Sequence, residues 1–143
     1  MHDETTPGPD APRVPSHHPF AELIALRVLQ QQAGSSVVAL TVGEQHLNPH
    51  HVVHGAVLHA LADTGMGAAL YPTLEPGEIC ATIEIKINYF KPVAGGEVVC
   101  RTELVNRGRT VANLDARLHV DGVLVAQANG NYAIFRPGRV KAG

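Results

Sequence analysis

From Gly55 to Leu70 the chain reads GAVLHALADTGMGAAL, an apolar and small-residue run entered through His54 and closed by Tyr71-Pro72, with a single carboxylate, Asp63, in its middle. Helical spacing spreads Leu58, Leu61 and Leu70 around the cylinder and puts Asp63 on one face with His59 and Gly67. Pro72 lacks a backbone donor and disfavours helical geometry for Tyr71, so the helix ends there. A helix of this composition needs a cover, and its Ala and Gly residues let a sheet curl closely around it. An ionised group buried among such residues costs several kcal/mol unless something compensates. Asp63 is therefore a candidate functional residue.

The flanking segments supply that sheet. Phe20 to Gln30 (FAELIALRVLQ) has the apolar spacing of a short amphipathic helix, ended by Gly34. Ser35 to Val42 reads as a first strand, and the loop from Gly43 to Val53 leads into the long helix. After a turn at Glu75-Pro76-Gly77, four strands are expected at Cys80 to Tyr89, Gly96 to Asn106, Thr110 to Val120 and Val123 to Phe135. Asp121-Gly122 marks a tight hairpin between the last two. Ile83, Ile85, Ile87 and Tyr89 alternate with polar residues, as do Leu114, Ala116, Leu118 and Val120, so one sheet face is apolar. The expected order is helix, strand, long helix, then an antiparallel meander.

Composition narrows the function classes. A length of 143 residues suits one domain, and a formal net charge of -2 gives no electrostatic footprint for nucleic acid. Residues 1–19 are expected to form a flexible tail, 20–136 a single domain, and 137–143 a frayed end. The tail has no apolar run resembling a signal peptide, and no stretch is long and apolar enough to span a bilayer, so a cytoplasmic protein without membrane partners is expected. Cys80 and Cys100 form no C-x-x-C pair and read as buried apolar residues. Of nine His residues, His54 and His59 lie five apart, off one helical face, and no His-Glu-x-x-His pattern occurs; no metal site is expected. No Gly-x-Ser-x-Gly elbow supports a serine triad.

Asn48, His54-Gly55 and Asp63, with Ala81-Thr82 opening the next strand and Tyr89-Phe90-Lys91-Pro92 closing it, resemble the hotdog-fold acyl-CoA thioesterases. The likeness is to the branch holding the phenylacetate-pathway PaaI proteins and human thioesterase superfamily member 2, and it spans Phe20 to Phe135. It implies an α+β hotdog fold, a curved antiparallel sheet wrapped around a long central helix. It also implies hydrolysis of an acyl- or aryl-CoA thioester to free acid and CoA. Asp63 then matches the family's general base or nucleophile, and Asn48 the residue that orients water or that carboxylate. His54 and Gly55 match the helix entrance that polarises the carbonyl, and Thr82 a polar residue near the attacking water. In the family these groups come from different subunits, so a homodimer at least, and a homotetramer as the fuller assembly, is expected. Ala56 replaces a second Gly found in many relatives, and His59 is an unusual neighbour for the carboxylate.

The chemistry agrees. Thioester hydrolysis needs a polarised carbonyl, a delivered water or carboxylate, and a leaving thiolate; it needs no cofactor, coenzyme A being part of the substrate. A helix N-terminus supplies free N–H groups and a positive dipole end. Arg107 and Arg109, at a strand turn, are candidates for the CoA phosphates, with Lys91 and His59 as further substrate-binding candidates. The alternative is a non-catalytic acyl-CoA-binding hotdog protein, a sensor or carrier. A hotdog dehydratase is third, its helix-entry sequence being absent.

Overall fold

The computed structural model describes residues 17–138. The expected tail up to residue 16 and the expected frayed end from residue 139 lie outside the described residues. In chain order the elements are α1 (Pro19–Leu23), β1 (Arg27–Gln32), β2 (Ser35–Thr41), α2 (Gly55–Leu70), β3 (Ile79–Tyr89), β4 (Glu97–Arg107), β5 (Val111–Val120) and β6 (Val123–Phe135). Single helical turns at Glu44–His46 and Tyr71–Thr73 flank α2. Among the described residues no helix is long and apolar enough to cross a membrane.

The long helix stands where its composition put it. Leu58, Leu61, Ala62, Gly65, Met66, Ala69 and Leu70 are buried against Val38, Leu40, Val98, Cys100, Leu114, Ala116 and Leu118 of the sheet. Each fully buried Leu or Met side chain contributes roughly 1.5–3 kcal/mol. Close approach depends on Gly65, where an added Cβ would lie 2.8 Å from the Thr102 hydroxyl. Ser36 donates to the Gly65 carbonyl at 2.6 Å and fastens β2 to the helix.

Two expectations need correction. The helix over Phe20–Gln30 stops at Leu23; Ala25 turns the chain at φ 57 and the remainder becomes β1. A few turns of helix are marginal alone, whereas pairing with β2 satisfies the backbone of Arg27–Gln32. Gly34, at φ +86, closes that hairpin and terminates no helix. The sheet is also not a simple meander: the strand order is β1-β2-β4-β5-β6-β3. β4, β5 and β6 follow one another, but α2 carries the chain across the sheet before β3 starts, so β3 pairs with β6 at the far edge. Every pairing is antiparallel. The Asp121-Gly122 hairpin holds, with φ 49 and 76 at the two residues, the backbone a two-residue primed turn requires.

A bulge in β3 positions the site. Thr82 pairs with Tyr132 and Glu84 with Asn131, which leaves Ile83 as an extra residue. The inward side therefore changes parity: Cys80 and Thr82 share a face with Tyr132 before the bulge, and Ile85 and Ile87 face the core after it. Ile83, expected on the apolar face, is 56% exposed. Cys100 is buried, and burial pushes its thiol up to about 12. Cys80, expected to be buried, is half-buried.

Candidate active site

Asp63 sits more than two turns into α2, half-buried, on the wall of a cavity of about 410 Å³. Phe20, Val28, Ala60, Gly67, Ala68 and Tyr71 make most of that wall apolar, and Asp63, Thr82 and Tyr132 are among its polar residues. The Thr82 hydroxyl donates to Asp63 Oδ1 at 2.8 Å, and the Tyr132 hydroxyl donates to the same oxygen. Tyr132 also reaches the Asp63 main-chain carbonyl at 2.9 Å. Oδ2 has no hydrogen bond among the described residues. The carboxylate is thus held through one oxygen.

Tyr132 was not among the residues singled out from sequence. Burial, reinforced by the hydrogen bond to and charge of Asp63, pushes its phenol well above the usual tyrosine range, so at neutral pH it keeps its proton and has it to donate. This has a measurable consequence. A folded-state pKa raised above the unfolded value of about 10 gives stability that is fully present below pH 10 and is lost as pH rises through the folded value. Thermal melts of the wild type should therefore decline above pH 10 more steeply than those of Tyr132→Phe. Cys80 lines the same cavity; burial, then the charge of Asp63, pushes its thiol up. It is consequently a poor nucleophile at neutral pH.

The helix entrance lies elsewhere in the same subunit. His54 caps α2 by accepting from the Ala56 amide at 2.9 Å, and no hydrogen bond occupies the Gly55 amide among the described residues. The Tyr89 hydroxyl donates to the Gly55 carbonyl at 2.8 Å; a Cβ on Gly55 would lie 3.0 Å from that ring. Lys91 borders the shallow groove beside this entrance, together with Tyr89, Phe90 and Pro92. Eight residues of helix separate Gly55 from Asp63, about 12 Å along the axis. One chain therefore does not bring His54-Gly55 and Asp63 to a common carbonyl.

The other candidates are placed as follows. Asn48 Oδ1 accepts from the His50 and Val52 amides at 2.9 and 3.4 Å, so it shapes its own loop and makes no hydrogen bond to Asp63. His59 is half-buried one turn before Asp63 and has no hydrogen bond among the described residues. Arg107 is committed within the fold: it pairs with Glu78 at 3.1 Å and donates to the Gly108 and Thr73 carbonyls. The Glu75 amide, then Arg107, holds the Glu78 carboxyl below its ordinary range. Arg109 is exposed, with no ion pair among the described residues. No group of three His, Cys, Asp or Glu side chains is arranged to hold a metal among the described residues.

A six-stranded antiparallel sheet curled around one central helix, with a carboxylate projecting from that helix, is a hotdog fold. Residues 50–126 match the family model of the thioesterase superfamily, and the chain belongs to that superfamily. It is 27% identical over 117 residues to the acyl-coenzyme A thioesterase PaaI of Escherichia coli, covering 81% of this chain and 77% of that one. It is 28% identical over 89 residues to the 1,4-dihydroxy-2-naphthoyl-CoA hydrolase of Listeria monocytogenes, covering 62% and 72%. A single-residue variant of the phenylacetic acid degradation protein PaaI from Thermus thermophilus superposes with a TM-score of 0.77 at 32% identity, covering 84% of this chain and all (100%) of that one. Fold and family together make the protein a thioester hydrolase.

Proposed function

We propose that the protein hydrolyses acyl- or aryl-CoA thioesters, with Asp63 as the base or nucleophile. The observation that carries this is the asymmetry of its carboxylate, with Oδ1 bound by two hydroxyls and Oδ2 without a hydrogen bond among the described residues, at the wall of an apolar cavity. As a general base, Oδ2 takes a proton from water while the hydroxide adds to the thioester carbon. The oxyanion is met by the amides at a His54-Gly55 helix entrance. Collapse breaks the C–S bond, and the thiolate recovers the proton as CoA leaves. Because Gly55 and Asp63 of one chain are so far apart along α2, the entrance belongs to a second subunit, and the working unit is a homodimer or a larger assembly. Arg109 and Lys91 serve the CoA end, and Asn48 acts with the neighbouring subunit's carboxylate. His59, one helical turn before Asp63, serves the substrate.

The acyl group occupies the cavity beside Asp63. Gly67 supports that assignment, since a Cβ there would meet nothing within 4 Å and mid-helix Gly costs roughly 1 kcal/mol relative to Ala. Packing does not explain its presence; space for an acyl group does. Gly67→Ala is expected to raise the melting temperature while lowering kcat/KM for phenylacetyl- and hexanoyl-CoA relative to acetyl-CoA. Free-thiol release from a panel of acetyl-, phenylacetyl-, benzoyl-, hexanoyl- and palmitoyl-CoA tests the function itself. Binding of these esters without thiol release would make the protein an acyl-CoA carrier or sensor.

A further inference from the structure

We propose that Tyr132 is a positioning residue for the reacting carboxylate: its hydroxyl, together with that of Thr82, occupies Oδ1 of Asp63 and so directs Oδ2 toward the acyl cavity. The inference rests on Asp63 being the reacting group. Tyr132 is 3% exposed and is the direct cross-strand partner of both Thr82 on β3 and Ala112 on β5. Strand pairing therefore fixes its ring under α2, and the β3 bulge brings the Thr82 hydroxyl to the same point. The phenol contacts Asp63 twice, at the main-chain carbonyl and at Oδ1, so it ties the side chain to its own helix turn. A buried tyrosine hydroxyl needs a partner, and a carboxylate on an apolar wall needs donors; each meets the other's requirement.

Two donors on one oxygen fix the orientation of the Asp63 carboxylate as well as its place. The other titratable groups around it are Cys80 on β3, His18 and Tyr71 on the cavity wall, and His59 one turn back on α2. None of them hydrogen-bonds to Asp63.

The test compares kcat, KM and thermal melts for the wild type, Tyr132→Phe, Thr82→Val and Asp63→Asn, using the best ester of the panel. Tyr132→Phe removes one hydroxyl and keeps the ring. It is expected to lower kcat roughly 10- to 100-fold, with KM changed less than about twofold. Thr82→Val should lower kcat in the same way, and the double variant should lose less than the product of the single effects. Wild-type kcat in Tyr132→Phe, with Asp63→Asn inactive, would overturn the role of Tyr132 and leave that of Asp63 standing. A fall in kcat matched by a comparable rise in KM and a lowered melting temperature would mark Tyr132 as merely structural and likewise overturn the proposal. Full activity in Asp63→Asn would remove its basis.

Discussion

Asp63→Asn is expected to reduce thiol release by about 100-fold or more while leaving the fold and its melting temperature nearly unchanged. The two parts of this result have separate causes. Asn retains an oxygen that can accept from Thr82 and Tyr132 at the Oδ1 position, so the contacts joining α2 to β3 and β6 persist. At the position of Oδ2, however, an amide nitrogen replaces a carboxylate oxygen, and it neither takes a proton from water nor attacks a thioester carbon. KM should move little, because the apolar cavity wall that holds the acyl group is untouched. Steady-state kinetics with the panel of CoA esters, beside a thermal melt, separates the outcomes. Residual activity within about tenfold of wild type would mean that the carboxylate does not carry the chemistry.

Much of this site was legible in the sequence because its signals are local. The span of α2 followed from Gly55, Tyr71 and Pro72, and the carboxylate stood out against Ala and Gly. The Asp121-Gly122 turn needed only its two residues. What escaped depended on pairing between distant segments. β1 has helical apolar spacing, and only its register against β2 makes it a strand. The β3 bulge is invisible in an alternating run such as Ile83-Glu84-Ile85-Lys86-Ile87; it arises because β3 pairs with β6, and that pairing follows from the route of α2 across the sheet. Tyr132 was missed for the same reason, although β6 carried a usable signal. Ala128, Gly130, Tyr132 and Ile134 alternate inward, and a tyrosine among them must find a polar partner. The pairing of Arg107 with Glu78 was not legible in the sequence because the two lie 29 residues apart.

Gly130→Val is expected to destabilise the protein and to disable it through the same displacement. Gly130 faces α2 two residues before Tyr132, where a Cβ would lie 2.7 Å from Met66 Sδ, 3.0 Å from Ile85 Cγ1 and 3.3 Å from the Glu84 carbonyl oxygen. Met66 is fully buried in the core and has little room to swing, and the Glu84 carbonyl is fixed in the β3–β6 ladder, where Ile85 pairs with Gly130 itself. The Val methyls, which extend past the Cβ toward Met66, are therefore accommodated by α2 moving outward. Overpacking of this kind costs about 1–3 kcal/mol, or several degrees in melting temperature for a domain of this size. Asp63 lies one turn before Met66 on the same helix, so the movement that relieves Met66 also draws the carboxylate away from Tyr132 and Thr82. Gly130→Val should accordingly lose kcat even at temperatures where it remains folded, with KM changed little, as expected for Tyr132→Phe. Gly130→Ala, which adds the Cβ alone, should show a smaller loss of both stability and kcat. A folded Gly130→Val enzyme with wild-type kcat would show that the distance between α2 and β6 does not set the geometry of the carboxylate.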